Sequence, residues 1–301
     1  MTRSIEVILN ARSGSQKSKE ACQGLENVFR RAGRSFHISV VTGERVVRVA
    51  EEKAKTDCEV LVAAGGDGTI CGVAEAARRS GKILGVIPLG TFNYFANNLG
   101  IPLEVEEAAR VVVEGKMIYA PLLDLDGRLI LNNTSIGIHP AVLMKRRQLY
   151  RRWGRSQVTA YLSVMMTAFR PAPRLRVRLE TDDGELVRET PLVLVCSNAY
   201  QVENFALEGK ECLAGGKFAV YVACHSGRAT IVKLGLRTVL RRLREGIDYE
   251  VICATDVTID ALRRRRLRAA VDGELGKLNS PMRFRVADPV AVLVPQKVAA
   301  E

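Results

Sequence analysis

The sequence predicts an α/β chain in two parts, a parallel sheet flanked by helices over residues 1–121 and a β-rich part with antiparallel pairing over 122–287. Three observations predict this. Short apolar strands alternate with polar–apolar helical stretches through the first third. Gly-rich segments fall at the carboxyl ends of those strands, where such sheets bind their ligands. After about residue 120, short strand patterns separated by turn clusters such as Thr181-Asp182-Asp183-Gly184 take over.

In chain order, residues 5–10 (IEVILN), 35–41, 59–64 (EVLVAA) and 83–87 (ILGVI) read as buried strands, with helical stretches near 17–32, 44–56 and 69–80. Residues 129–136, 174–180, 185–190, 192–198, 217–223, 250–260, 267–272 and 282–286 read as strands of the second part. Two helical interruptions are expected at about 141–169 and 228–245. The boundary is placed near Pro121, and the last strand, Pro289 to Pro295, is a candidate to carry residues 288–301 back to the first domain.

Lys and Arg outnumber Asp and Glu by 45 to 33, which favours polyanionic contacts without choosing among nucleotide, nucleic acid and anionic membrane. The seven cysteines stand singly with no CxxC spacing, so reduced, buried thiols of an intracellular protein are expected. Three dispersed histidines give a zinc site little support. No signal-peptide pattern opens the chain, and no apolar run reaches the roughly 18–20 residues of a membrane span. A soluble or peripheral protein is expected.

The strongest local signal is Gly65-Gly66-Asp67-Gly68-Thr69, between the strand EVLVAA and a helix. Glycines there let the backbone approach a phosphate, the helix start offers unpaired N–H groups, and Asp67 can hold Mg²⁺ directly or through water. A tight strand-to-helix turn would show the same pentapeptide. Pro88-Leu89-Gly90-Thr91-Phe92-Asn93 repeats the logic after the next strand, where Thr91 and Asn93 can bind phosphate or cap a helix. Asn10-Ala11-Arg12-Ser13-Gly14 follows the first strand in the same way. Together the three loops indicate a nucleotide site, although neither GxxxxGK[ST] nor GxGxxG occurs. Phosphoryl transfer to an alcohol also needs a proton acceptor. Asp272-Gly273-Glu274 offers two carboxylates on a turn, with an ordinary Asp-Gly hairpin as the plain alternative. Asp124 and Asp126 are further acidic candidates.

The order GGDGT, PLGTFN and a late DGE resembles the diacylglycerol kinase catalytic-domain family, which includes bacterial lipid kinases and sphingosine kinases. Asn10 to Gly14 and Leu122-Leu123-Asp124 with Asn132 to Gly137 are similar to further family stretches. The resemblance implies a Rossmann-like N-terminal domain and a C-terminal β-sandwich-like, lipid-binding domain, with ATP in the interdomain cleft. It implies ATP contacts at Asn10, Ser13, Gly14, Thr42, Gly65, Gly66, Asp67, Gly68, Thr69 and Thr91. It further implies Glu274 as general base, with Asp67 and Asp124 holding the catalytic Mg²⁺. Departures are Ala11 for the family's Pro, Gly72 and Tyr94 where acidic residues are usual, and a carboxylate-free Leu213 to Phe218 in place of a structural metal loop.

Residues 141–169, with six cations beside Leu143, Met144, Leu149, Tyr150 and Trp153, suit an anionic membrane surface or a packed amphipathic helix with a solvated basic face. For 228–245 the packed helix is the preferred reading. Arg263 to Arg266, in a strand-like context, would split between two faces, and no aromatic residues interleave them, so nucleic-acid binding is not expected. The reading is an ATP- and Mg²⁺-dependent lipid kinase, cytoplasmic and peripheral at the inner face of a membrane. NAD kinase-like phosphorylation of a soluble substrate and a non-catalytic lipid or nucleotide binder are the alternatives. The acceptor lipid and the oligomeric state, a homodimer included, stay open.

Overall fold

The computed structural model describes residues 4–11, 15–153, 174–224 and 228–296. The chain divides into two compact units, Met1–Leu122 with Ala287–Glu301, and Leu123–Val286.

The first unit is built on the parallel strands β1 (Ile5–Asn10), β2 (Phe36–Val41), β3 (Val60–Gly65) and β4 (Ile83–Pro88), in the order β2-β1-β3-β4. All six residues of β3 (VLVAAG) are buried, as in a parallel strand covered on both faces. Helices α1 (Ser15–Arg31), α2 (Val46–Ala54) and α3 (Asp67–Ser80) connect the strands, and α4 (Tyr94–Asn98) and α5 (Val105–Glu114) follow β4. α1 packs against α5, and α2 against α3. Right-handed crossovers put these two pairs on opposite faces of the sheet. The winding direction reverses between β1 and β3, which opens a crevice at their carboxyl ends. Near the end of the chain, Val292 pairs in parallel with Leu84 of β4.

The second unit begins in β5 (Lys116–Leu125), which forms a hairpin with β6 (Arg128–Ile130). There follow β7 (Asn133–Gly137), α6 (Ile138–Trp153), β8 (Leu175–Thr181), β9 (Gly184–Thr190), β10 (Leu192–Cys196), α7 (Ala199–Asn204) and α8 (Lys210–Ala214). The remaining elements are β11 (Phe218–Ala223), α9 (Arg228–Val239), β12 (Tyr249–Ala254), β13 (Asp256–Ala261), β14 (Arg266–Val271), β15 (Glu274–Asn279) and β16 (Met282–Val294). One layer is the antiparallel sheet β12-β11-β10-β7-β14-β15. A second antiparallel layer contains β9, β8, β13 and the first residues of β16. Their inner faces share one core, with Ile136, Val193, Val195, Phe218 and Val220 meeting Val177, Leu179, Val257, Ile259 and Phe284. β8 alternates buried and exposed side chains, the period-two pattern of a strand with one face on a core. A smaller cluster of Cys196, Val202, Cys212, Tyr221 and Tyr249 forms where α7 and α8 cover β10 and β11.

Several expectations are corrected. The thiols are not all free: Cys212 of α8 and Cys253 of β12 form a disulfide, with Cα atoms 5.2 Å apart. Their separation of 41 residues gave no sign of the pairing. The expected strand 129–136 is two strands, because the amides of Leu131, Asn132 and Asn133 turn away to the Asp272 carboxylate. The strand 250–260 breaks at Thr255, whose N–H and hydroxyl both donate to Asp182. Of the four-arginine run only Arg266 lies in a strand, and Arg263 (φ 73°) to Arg265 form an exposed turn. The helix expected at 141–169 is described as α6, the remainder lying outside the described residues, and that expected at 228–245 ends at Val239. No helix among the described residues is long and apolar enough to cross a membrane.

Candidate phosphate cradle and carboxylate turn

In the first unit the chemistry gathers at the carboxyl ends of β1, β3 and β4. Gly65 ends β3, and a Cβ there would lie 2.5 Å from the Thr69 side chain. Gly66 caps α3 in an extended conformation, and its carbonyl accepts from the amides of Thr69 and Ile70. The neighbouring loop crosses it closely: a Cβ on Gly90 would lie 2.7 Å from Cα of Gly66 and 2.7 Å from Oδ1 of Asn93. Glycine is required at that crossing because only bare backbone fits.

Asn93 holds the second loop. Its backbone is left-handed (φ 50°), its side chain is buried, and it exchanges hydrogen bonds with Gly90, accepting from N–H at 2.9 Å and donating to the carbonyl at 3.2 Å. Asp67, in the first turn of α3, accepts from the amides of Tyr94 at 3.3 Å and Phe95 at 3.1 Å. A carboxylate there suits the positive ends of both helices. Asn10 donates through Nδ2 to Thr69 Oγ1 at 2.9 Å, which ties the end of β1 to the start of α3 across the switch point. Thr42 is exposed at the end of β2, where its carbonyl accepts from Arg45. Gly68, in the first turn of α3, and Thr91, in the loop before α4, are exposed. Ser13 and Gly14 lie outside the described residues.

The other predicted residues belong to the second unit. Asp124 accepts through Oδ1 from Gly127 N–H and from Arg285, both at 3.2 Å. Glu274 opens β15 directly after the two-residue turn Asp272-Gly273, whose φ values of 46° and 78° are both left-handed. That is the hairpin geometry Asp-Gly favours. Glu274 is exposed and ends the β14–β15 ladder opposite Val271. Asp272 has a role the sequence did not reveal. Its Oδ1 accepts from Asn132 N at 2.8 Å and Asn133 N at 3.1 Å, and its Oδ2 from Leu131 N at 2.9 Å. Below this turn Asn132 accepts from Asn198 at 2.7 Å, Asn133 donates to Gln201 at 2.7 Å, and Asn198 caps α7. Burial pushes the neighbouring Cys196 thiol up to about 12.

The residues fit a polyphosphate. The space a Cβ would fill at Gly65, Gly66 and Gly90 is taken up by close-packed loops, and the start of α3 presents the positive end of its dipole. For a divalent cation, no three acidic, histidine or cysteine side chains gather among the described residues. Asp67 is the carboxylate of this loop region, and a single carboxylate can bind a divalent cation only together with other oxygen ligands such as phosphates and water.

Residues 4–124 match the family model of the diacylglycerol kinase catalytic domain. A diacylglycerol kinase of Staphylococcus saprophyticus is 27% identical over 205 residues, covering 65% of this chain and 64% of that protein. A Yersinia pestis protein named "Probable lipid kinase YegS-like" is 35% identical over 138 residues, 44% of this chain and 45% of that protein. The matched stretches therefore span less than two thirds of either relative. A crystal structure of a diacylglycerol kinase from Bacillus anthracis superposes with a TM-score of 0.69 at 16% identity over 97% of both chains. A second structure from that organism superposes at 0.76 with 17% identity over 99% of both, which establishes the shared fold. The similarity to the diacylglycerol kinase catalytic domain is carried by residues 4–124.

Proposed function

We propose that the chain is an ATP- and Mg²⁺-dependent lipid kinase that transfers the γ-phosphate to a hydroxyl of a lipid such as diacylglycerol. The observation that carries this reading is the crossing of the Gly66 and Gly90 loops at the carboxyl ends of adjacent parallel strands, so close that a Cβ on Gly90 would lie 2.7 Å from Cα of Gly66. Asn10, Thr42, Gly65 to Thr69, Thr91 and Asn93 are the proposed polyphosphate contacts, as are Ser13 and Gly14, which lie outside the described residues. Mg²⁺ supplies charge neutralisation on the phosphates. Asp67, whose carboxylate is fixed by the Tyr94 and Phe95 amides, would hold that ion. Asp124, whose Oδ1 accepts from Gly127 N–H and Arg285, would help to hold that ion. Glu274, exposed at the hairpin turn, accepts the proton of the lipid hydroxyl. The acceptor is met at the cytoplasmic face of an anionic membrane.

The test is transfer of radiolabelled phosphate from ATP into a mixed lipid extract with Mg²⁺. A labelled lipid is expected for the wild type. Glu274→Ala should retain ATP binding and lose turnover by about 10²-fold or more. Label appearing on NAD without lipid would replace this reading with a soluble acceptor, and undiminished turnover in Glu274→Ala would remove that residue from the base role.

A further inference from the structure

The end of α9 and the chain that follows it carry a surface the catalytic reading does not use. Leu240 N donates to the Leu236 carbonyl, so the helical path runs one residue past Val239. Lys233, Leu236 and Leu240 lie at i, i+3 and i+7 on one face. Leu236 and Leu240 are 55% and 52% exposed, and Ile247, in the following loop, is 48% exposed. Leu243, by contrast, turns inward onto the cluster around Tyr221 and Tyr249.

Three anchors hold this surface together. Arg237 makes a two-pronged ion pair with the buried Asp248 at 2.6 and 2.7 Å, which fixes the loop bearing Ile247 against the helix. Asp248 also accepts from Arg244 N at 3.0 Å. Arg241, left-handed at φ 53°, donates to the Asn204 carbonyl, which brings the partly exposed Phe205 alongside. Half-exposed aliphatic side chains are thus held on fixed backbone.

The charge around them has one sign. Between residues 233 and 247, Lys233, Arg241, Arg242 and Arg244 are exposed and not spent on a carboxylate among the described residues, and Glu245 is the one acidic residue of that stretch. Exposed leucines ringed by cations match an anionic bilayer, with the cations at the headgroups and the aliphatic tips at the acyl boundary. A soluble acidic protein would answer the charge but leave Leu236, Leu240 and Ile247 needing an apolar groove.

We infer that this edge of the second unit, Leu236, Leu240 and Ile247 with Lys233, Arg241, Arg242 and Arg244, is the surface by which the protein docks on an anionic lipid bilayer. The inference rests on the lipid-kinase reading for its biological sense, but its test needs neither ATP nor turnover. The full chain is sedimented with phosphatidylglycerol-rich vesicles and with pure phosphatidylcholine vesicles. Strong binding to the first and weak binding to the second is expected. Leu236→Glu with Leu240→Glu, exposed positions whose change leaves the core intact, should weaken partitioning on the order of 100-fold. Neutralising Lys233, Arg242 and Arg244 to Gln should weaken it to a similar degree, at about fivefold per cation. Phosphorylation of a detergent-dispersed short-chain diacylglycerol should be unchanged in both variants. Binding undiminished by either variant would overturn the inference. So would a wild-type dimer that the leucine variant makes monomeric while vesicle binding persists, since a second copy would then cover this face. Vesicle binding lost in the variants, in a protein without kinase activity, would uphold the surface and sink the kinase reading instead.

Discussion

Replacing Asp272 by Asn isolates what its carboxylate does. Asn-Gly is at least as good as Asp-Gly in a two-residue turn with both φ values positive, so the hairpin itself loses nothing. What changes is the set of three backbone N–H groups at 2.8–3.1 Å, on Leu131, Asn132 and Asn133, of which Leu131 and Asn132 are buried. The amide oxygen in the Oδ1 position keeps Asn132 and Asn133, but the bonds lose their charge assistance, about 1 kcal/mol each. The NH₂ group then faces Leu131 N–H, leaving a buried donor unsatisfied at about 1–3 kcal/mol. The expected loss is about 3–5 kcal/mol. Asp272→Ala should cost at least about 1 kcal/mol more, since alanine at φ 46° is strained and no acceptor remains. Urea unfolding followed by near-ultraviolet circular dichroism measures both. A loss below about 1 kcal/mol for Asp272→Asn would refute the argument that this carboxylate holds the β6–β7 junction.

Gly90→Ala should lower ATP affinity at least about tenfold and stability by about 1–3 kcal/mol, because the new Cβ meets Gly66 backbone at 2.7 Å. Gly276→Ala, with open space at its Cβ, is the neutral control, and titration calorimetry with thermal melting reads both. Asp248→Asn should destabilise the second unit by about 3 kcal/mol by stranding Arg237, measured by denaturant unfolding. Burial raises the Cys196 thiol from 9.0 to about 12, so the folded state holds a proton that the unfolded state releases. Stability from this group is therefore full below about pH 9 and falls by up to about 1.4 kcal/mol per pH unit above it. Cys196→Ala should flatten the decline between pH 9 and 11 in a pH series of unfolding curves.

Taken alone, the sequence determined the two-part α/β and β-rich plan, because strand and helix periods differ and buried parallel strands such as VLVAAG have no polar side. It also determined where the Gly-rich loops lie, since Gly65-Gly66 and Gly90 fall between a strand pattern and a helix pattern, and the structure has them at the ends of β3 and β4. Only the tertiary structure decided that Gly90 is obligatory: Gly66 and Gly90 are 24 residues apart, and their crossing exists only once β3 and β4 pair. The same holds for Asp272, whose partners lie some 140 residues earlier. A turn signature reports local backbone preference and says nothing of what its carboxylate reaches. The disulfide between Cys212 and Cys253 and the outward leucines of α9 were hidden for one reason. Whether a thiol meets another, or an apolar side chain meets a core or solvent, depends on the face against which its element is packed.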